Sequence, residues 1–160
     1  MMTAMELTGY RGTHADLLYG HWLAGELACP ARPEGVPGLA AARSLAPTAA
    51  HPERRTLVAP GVGFVRFLEI SWVSRHARVE LGYAGGPDHE LAGQLLLAAV
   101  EQGFRSFRLH RLYGWVTPAA GLPEEVLERA GFAREARVEE AGWWAGAPVE
   151  RQIWGCLDVR

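Results

Sequence analysis

Residues 77–104, ARVELGYAGGPDHELAGQLLLAAVEQGF, constrain this chain more than any other stretch. Val79, Leu81 and Tyr83 alternate with Arg78, Glu80 and Gly82, the period of two expected of a strand with one buried face. Gly85, Gly86 and Pro87 then break the extended pattern, and Asp88 is a residue type that caps helix N-termini. Ala92, Leu95, Leu96, Ala99, Val100 and Phe104 follow as an apolar stripe at helical spacing. A strand that hands the chain straight to a helix N-terminus brings unpaired backbone N–H groups and the helix dipole to one point, which is a ready anion site. The turn here is acidic where such sites are usually glycine-rich and basic.

Around this unit the chain reads as alternating short elements. Residues 5–11 suit a first strand, and residues 14–26 suit a helix whose Leu17, Leu18, His21, Trp22 and Leu23 form an apolar stripe. From residue 29 to 55 the pattern dissolves into Pro, Ala, Gly and Arg, expected of a lid, a loop or alanine-rich padding. Residues 56–59 and 64–74 are strand candidates, the second rich in aromatic and β-branched residues, and its short link to the strand carrying Glu80 predicts an antiparallel hairpin. Beyond Phe104, residues 108–118 suit a strand and residues 122–130 a helix, with Pro123 in its first turn and Gly131 at its end. Two strands joined by a turn at 145–148 complete the chain. This order predicts an α/β fold in one domain, 1–160, with a mixed, mostly antiparallel central sheet flanked by helices.

Composition narrows the partners. A chain of 160 residues with 49% hydrophobic and 21% charged residues buries about two thirds of its unfolded surface in a soluble core. A formal charge of −2 supplies no field for nucleic acid or a membrane surface, and no apolar run approaches the ~20 residues of a membrane span, so a cytoplasmic protein is expected. All 16 basic residues are arginine, which fits codon usage in a GC-rich genome. Cys29 and Cys156 are too few for a disulfide framework, and the six histidines form no metal signature, so no metal is expected.

VELGY (79–83), PDH (87–89), Phe104 followed by LHRL (109–112), and LERAGF (127–132) resemble, in order and spacing, the Gcn5-related N-acetyltransferases (GNAT superfamily). The likeness is nearest the branch that acetylates ribosomal-protein N-termini and small amines. It implies acetyl-CoA or another acyl-CoA as cofactor, a small-molecule or peptide amine as acceptor, and a homodimer as one assembly. It also implies cofactor contacts from Leu81, Tyr83, His89, Leu91, Ala92 and Gly93. In the family the turn before the central helix reads Arg-Gly-X-Gly-X-Gly or Ala, because only glycine lets successive N–H groups close on a pyrophosphate. This chain departs from that pattern: the arginine and first glycine are missing, and Asp88 and Glu90 bring carboxylates that cost ~1 kcal/mol each beside a dianion. Ala120 and Pro123 stand where the family places a cofactor-binding asparagine and serine. His89, as an imidazolium, would replace part of the lost positive charge.

Acyl transfer to an amine needs a base, an N–H for the oxyanion and an acid for the leaving thiolate. Glu80 is the carboxylate at the strand position the resemblance makes catalytic, and Glu69 on the preceding strand is a second, with paired carboxylates expected to raise one pKa. Tyr113, with Tyr83, is a candidate proton donor. Trp22, Trp72, Trp143 and Trp144 are candidate walls for a flat or apolar acceptor. Cys156 lacks a nearby base. Two alternatives to acetyl-CoA-dependent transfer stay open: a repurposed cleft in specialised metabolism, and a non-catalytic ligand-binding module.

Overall fold

The computed structural model describes residues 5–11, 26–28, 51–83 and 89–160. Among them, β1 (Thr8–Gly9), β2 (Arg55–Ala59), β3 (Gly63–Ser71), β4 (His76–Tyr83), β5 (Arg111–Val116), β6 (Ala133–Trp144) and β7 (Ala147–Leu157) form one seven-stranded sheet in the order β1-β2-β3-β4-β5-β7-β6. β4 and β5 run parallel and the other neighbours antiparallel, so the architecture is the mixed, mostly antiparallel sheet expected. Helix α1 (His89–Glu101) continues into a π-turn (Gln102–Ser106) and supplies the crossover between the two parallel strands, as a parallel pair requires. A short 3-10 turn (Pro118–Ala120) leads to helix α2 (Glu124–Arg129).

Strand alternation sorts the sheet into two faces. Val65 and Phe67 of β3, Ala77, Val79 and Leu81 of β4, and Leu112 and Val116 of β5 turn to one side, where Leu95, Leu96 and Ala99 of α1 and Val126 and Leu127 of α2 complete the core. The other face carries Arg66, Arg78, Glu80, Arg111, Tyr113 and Trp115. Gly103 is confined by crowding rather than by its backbone: a Cβ there would lie 2.9 Å from Leu112 Cδ1, so the π-turn closes directly onto β5.

Several boundaries move. The first strand pairs over only two residues, and the strand expected to reach Ser74 ends at Ser71, because a bulge after Leu68 puts Glu69 at φ 52° and the chain turns at Trp72. Pro123 lies outside α2 as its N-cap rather than inside its first turn. Glu26, expected to close a helix, is bridged to Trp115 of β5 instead, because β5 offers it backbone partners that a helix end lacks. The rest of that helix with Trp22, the weakly patterned residues up to 50 with Cys29, and the turn at 84–88 lie outside the described residues. No helix among the described residues is long and apolar enough to cross a membrane.

Candidate active site

The two parallel strands part midway along their length. His76, Ala77 and Arg78 pair with Arg111, Leu112 and Tyr113, and beyond that point β4 and β5 no longer bond to each other. Residues 26–28 lie in the gap. The Leu27 N–H donates to Trp115 O at 2.6 Å on β5, and the Leu81 N–H of β4 donates to Leu27 O at 3.1 Å. Leu27 is fully buried in the core with Ala28, while Glu26 faces the opposite side of the sheet. Gly114 makes room for it, since a Cβ there would lie 2.8 Å from Leu27 Cβ and 3.0 Å from Val79 O. Leu81, expected to contact a cofactor, therefore has its backbone donor engaged within the chain and its side chain in the core.

The fit of this segment is not uniformly good. Burial of the leucine contributes about 2 kcal/mol and each backbone bond about 1 kcal/mol. The Glu26 carboxylate accepts from Thr117 Oγ1 at 2.6 Å and Arg151 Nη2 at 3.0 Å, both through Oε1. Its Oε2 is buried with no partner among the described residues, which costs about 1–3 kcal/mol. Burial pushes the Glu26 pKa above its ordinary value, against the lowering effects of the Thr117 hydroxyl and the Arg151 charge. Arg151 also lies over the Trp115 ring, 4.6 Å from its centroid. Nothing in the local sequence marks Glu26 as a site residue; only the parting of two distant strands does.

Next to the gap, the second face of the sheet holds a chain of charges. Glu80, 4% exposed, is hydrogen-bonded by Arg78 and lies 3.6 Å from Arg66, its cross-strand partner. Burial rules out a solvated face for this residue. Arg78 also donates to Glu69 Oε1 at 3.2 Å, and the Tyr113 hydroxyl donates to Glu69 Oε2 at 3.0 Å. The three expected catalytic residues thus form one network, but the two carboxylates meet through a guanidinium rather than face to face. Glu69 is consequently shifted opposite to the expectation: the Arg78 hydrogen bond, reinforced by Tyr113, holds its pKa below the ordinary value. Tyr113 is raised, by burial first and then by the Glu69 carboxylate, and so keeps its proton through neutral pH.

α1 begins at His89, so His89, Glu90, Leu91 and Ala92 form its first turn, the positive end of the helix dipole. Beside it a cavity of about 220 Å³ opens between the helices, lined by His89, Glu90, Gly93, Leu97, Val126 and Arg129 with Ala130. Ala92, expected to contact a cofactor, is fully buried and does not line this cavity. Arg129 is a basic residue here that the sequence does not bring to notice; it lies 40 positions along the chain from His89, with which it lines the cavity.

The tryptophans divide. Because Val116 pairs with Gln152, the first residues of β7 and the end of β6 extend past β5 on the side where the strands part, carrying the 69%-exposed Trp143 and Trp144. Trp72 sits at the opposite, closed end, donating to Pro52 O at 2.7 Å and packed edge-on to Phe107. Trp22 and the side chain of Tyr83 lie outside the described residues. Cys156 is buried, and burial raises its thiol pKa, which disfavours a nucleophilic thiolate.

No family model matches the chain. No curated protein matches it either. Solved structures do. Spermidine N-acetyltransferase from Vibrio cholerae in complex with CoA and spermine superposes with a TM-score of 0.73 at 18% identity, covering 95% of this chain and 94% of that one. A chimera of the Vibrio cholerae spermidine N-acetyltransferase gives 0.75 at 18% identity, covering 97% and 96%. The fold is the one these N-acetyltransferases have, the GNAT fold.

Proposed function

We propose that this chain is an N-acyltransferase that moves an acetyl or other acyl group from acyl-CoA to the amine of a small molecule or peptide. The observation that carries the reading is the parting of parallel β4 and β5 immediately before the N-terminus of α1. Two separated strands present backbone donors and acceptors that an extended arm bearing amides can take up by strand addition in place of residues 26–28, and CoA has such an arm. The helix terminus and Arg129, which share one cavity, would supply positive potential to its phosphates. That a protein of this fold was solved with CoA and spermine supports both the donor and an amine acceptor.

In this reading the amine nitrogen attacks the thioester carbon, the C–S bond breaks, and an amide and a free thiol result. Glu80 accepts the proton lost by the ammonium, directly or through water, with Arg66 and Arg78 fixing its position. Tyr113 returns a proton to the leaving sulfur as its hydroxyl turns from Glu69, to which it otherwise donates. Trp143 and Trp144 border the acceptor's approach. The ribosomal-protein branch of the family makes a peptide N-terminus one acceptor to offer, and a polyamine is the other.

Calorimetry with CoA and acetyl-CoA, followed by thiol release in the presence of a polyamine and of N-terminal peptides, tests this. Saturating donor at 100 times Kd should add about 2.7 kcal/mol of stability, a rise of several degrees in Tm. Absence of any shift at millimolar CoA rejects the acyl-CoA reading in favour of a ligand-binding module.

A further inference from the structure

Resting on the acyl-CoA reading, we propose that residues 26–28 are a built-in strap that fills the donor-arm slot between β4 and β5 and has to leave it before an acyl-CoA can enter. The strap uses one backbone group of each strand bordering the slot: Leu27 donates to Trp115 O at 2.6 Å and accepts from the Leu81 N–H at 3.1 Å. It runs parallel to β5, bridged at Trp115, and so lies in the plane of the sheet as an inserted strand would. Leu27 is 0% exposed, Ala28 2% and Glu26 4%, which leaves no volume for a second extended chain in the same gap. The slot is moulded to this occupant, because any side chain at position 114 would collide with Leu27.

An arm that satisfies Leu81 and Trp115 and a strap that already does so exclude each other. The strap is held less tightly than a fully satisfied strand would be. Glu26 Oε2 is buried with no partner among the described residues, so departure of the segment returns a carboxylate oxygen to water and relieves that deficit. Donor binding is then a competition between two strand additions at one pair of edges. The measured affinity for CoA equals the intrinsic affinity multiplied by the fraction of molecules whose slot is open.

The test uses the full chain, with CoA as the probe, in two measurements. Calorimetry compares wild type with Leu27→Gly, which removes the side chain seated over Gly114, and CoA binding should tighten about tenfold. Hydrogen exchange on the wild-type protein follows the Leu27 and Leu81 amides with and without CoA. Strap release predicts that CoA makes the Leu27 amide exchange faster while Leu81 stays protected, its partner exchanged for the ligand. If CoA binds wild type and variant equally and Leu27 remains protected in the complex, the strap is overturned while the acyl-CoA reading stands. If neither form binds CoA, both fall, and residues 26–28 are a fixed eighth strand. Should Leu27→Gly not fold, the wild-type exchange experiment alone decides between these outcomes.

Discussion

Glu26 and Glu69 show how one side-chain type acquires opposite electrostatic behaviour from its surroundings. Glu69 is exposed and hydrogen-bonded by Arg78 and Tyr113, so its folded-state pKa is depressed. Its contribution to stability is present above the ordinary value of 4.5 and is lost as pH falls through the lower folded value. Glu26 is buried, its folded-state pKa is raised, and its contribution is present below 4.5 and lost as pH rises through the higher folded value. Glu26→Gln removes that loss. Plotted against pH, the Tm of the variant minus that of wild type should increase from pH 4.5 towards neutrality; a flat difference contradicts the burial argument. On the catalytic side, Glu80→Gln should lower kcat about 10²–10⁴-fold if the carboxylate takes the proton, with CoA affinity retained. Tyr113→Phe should lower kcat while leaving KM for the acceptor near its original value. Equal loss of CoA binding in either variant would mark the residue as structural.

Among the elements, the strands were the most legible, and the reason is local. Ala77, Val79 and Leu81 take the buried face and Arg78 and Glu80 the polar one, so a period of two appears in the text and fixes which side each residue takes. The stripe Ala92, Leu95, Leu96 and Ala99 predicted α1 on the same logic. The segment at 26–28 carries no such signal. Its conformation is imposed by backbone partners at Leu81 and Trp115, more than 50 positions away in sequence, and Glu26 read naturally as the end of a helix. Likewise the separation of Glu69 and Glu80 by Arg78 depends on the bulge after Leu68, which single-strand periodicity does not encode. Gly114 is where element packing is most exacting. Gly114→Ala forces its Cβ against Leu27 and the Val79 carbonyl, and should cost about 1–3 kcal/mol, read as a lower midpoint in urea. A neutral result means that the strand edges there are free to shift.

At the scale of the whole molecule, the sheet order gathers the candidate site at one end. β7 inserts between β5 and β6, so the tip of the last hairpin, the parted strands and the start of α1 all lie past the last paired residues of β4 and β5. The network at Glu80 links this end to the closed one through Arg78 and Glu69. Trp143 is a solvent-facing part of that end and not of the core, so Trp143→Ala should leave Tm within about 1–2 °C, a surface-sized change in stability, while raising KM for an apolar or polyamine acceptor. An unchanged KM removes the hairpin tip from the acceptor path.

A sheet that opens in its middle creates two internal edges, and unpaired edges are what neighbouring chains use to assemble into aggregates. Leu27, by taking one group from β4 and one from β5, closes those edges against intermolecular pairing. The same residues that keep a ligand out thus protect solubility, and any change that opens the gap in the absence of donor trades colloidal stability for access. Leu27→Gly should therefore aggregate faster than wild type when stored alone, and CoA should suppress the difference by taking the strand edges itself.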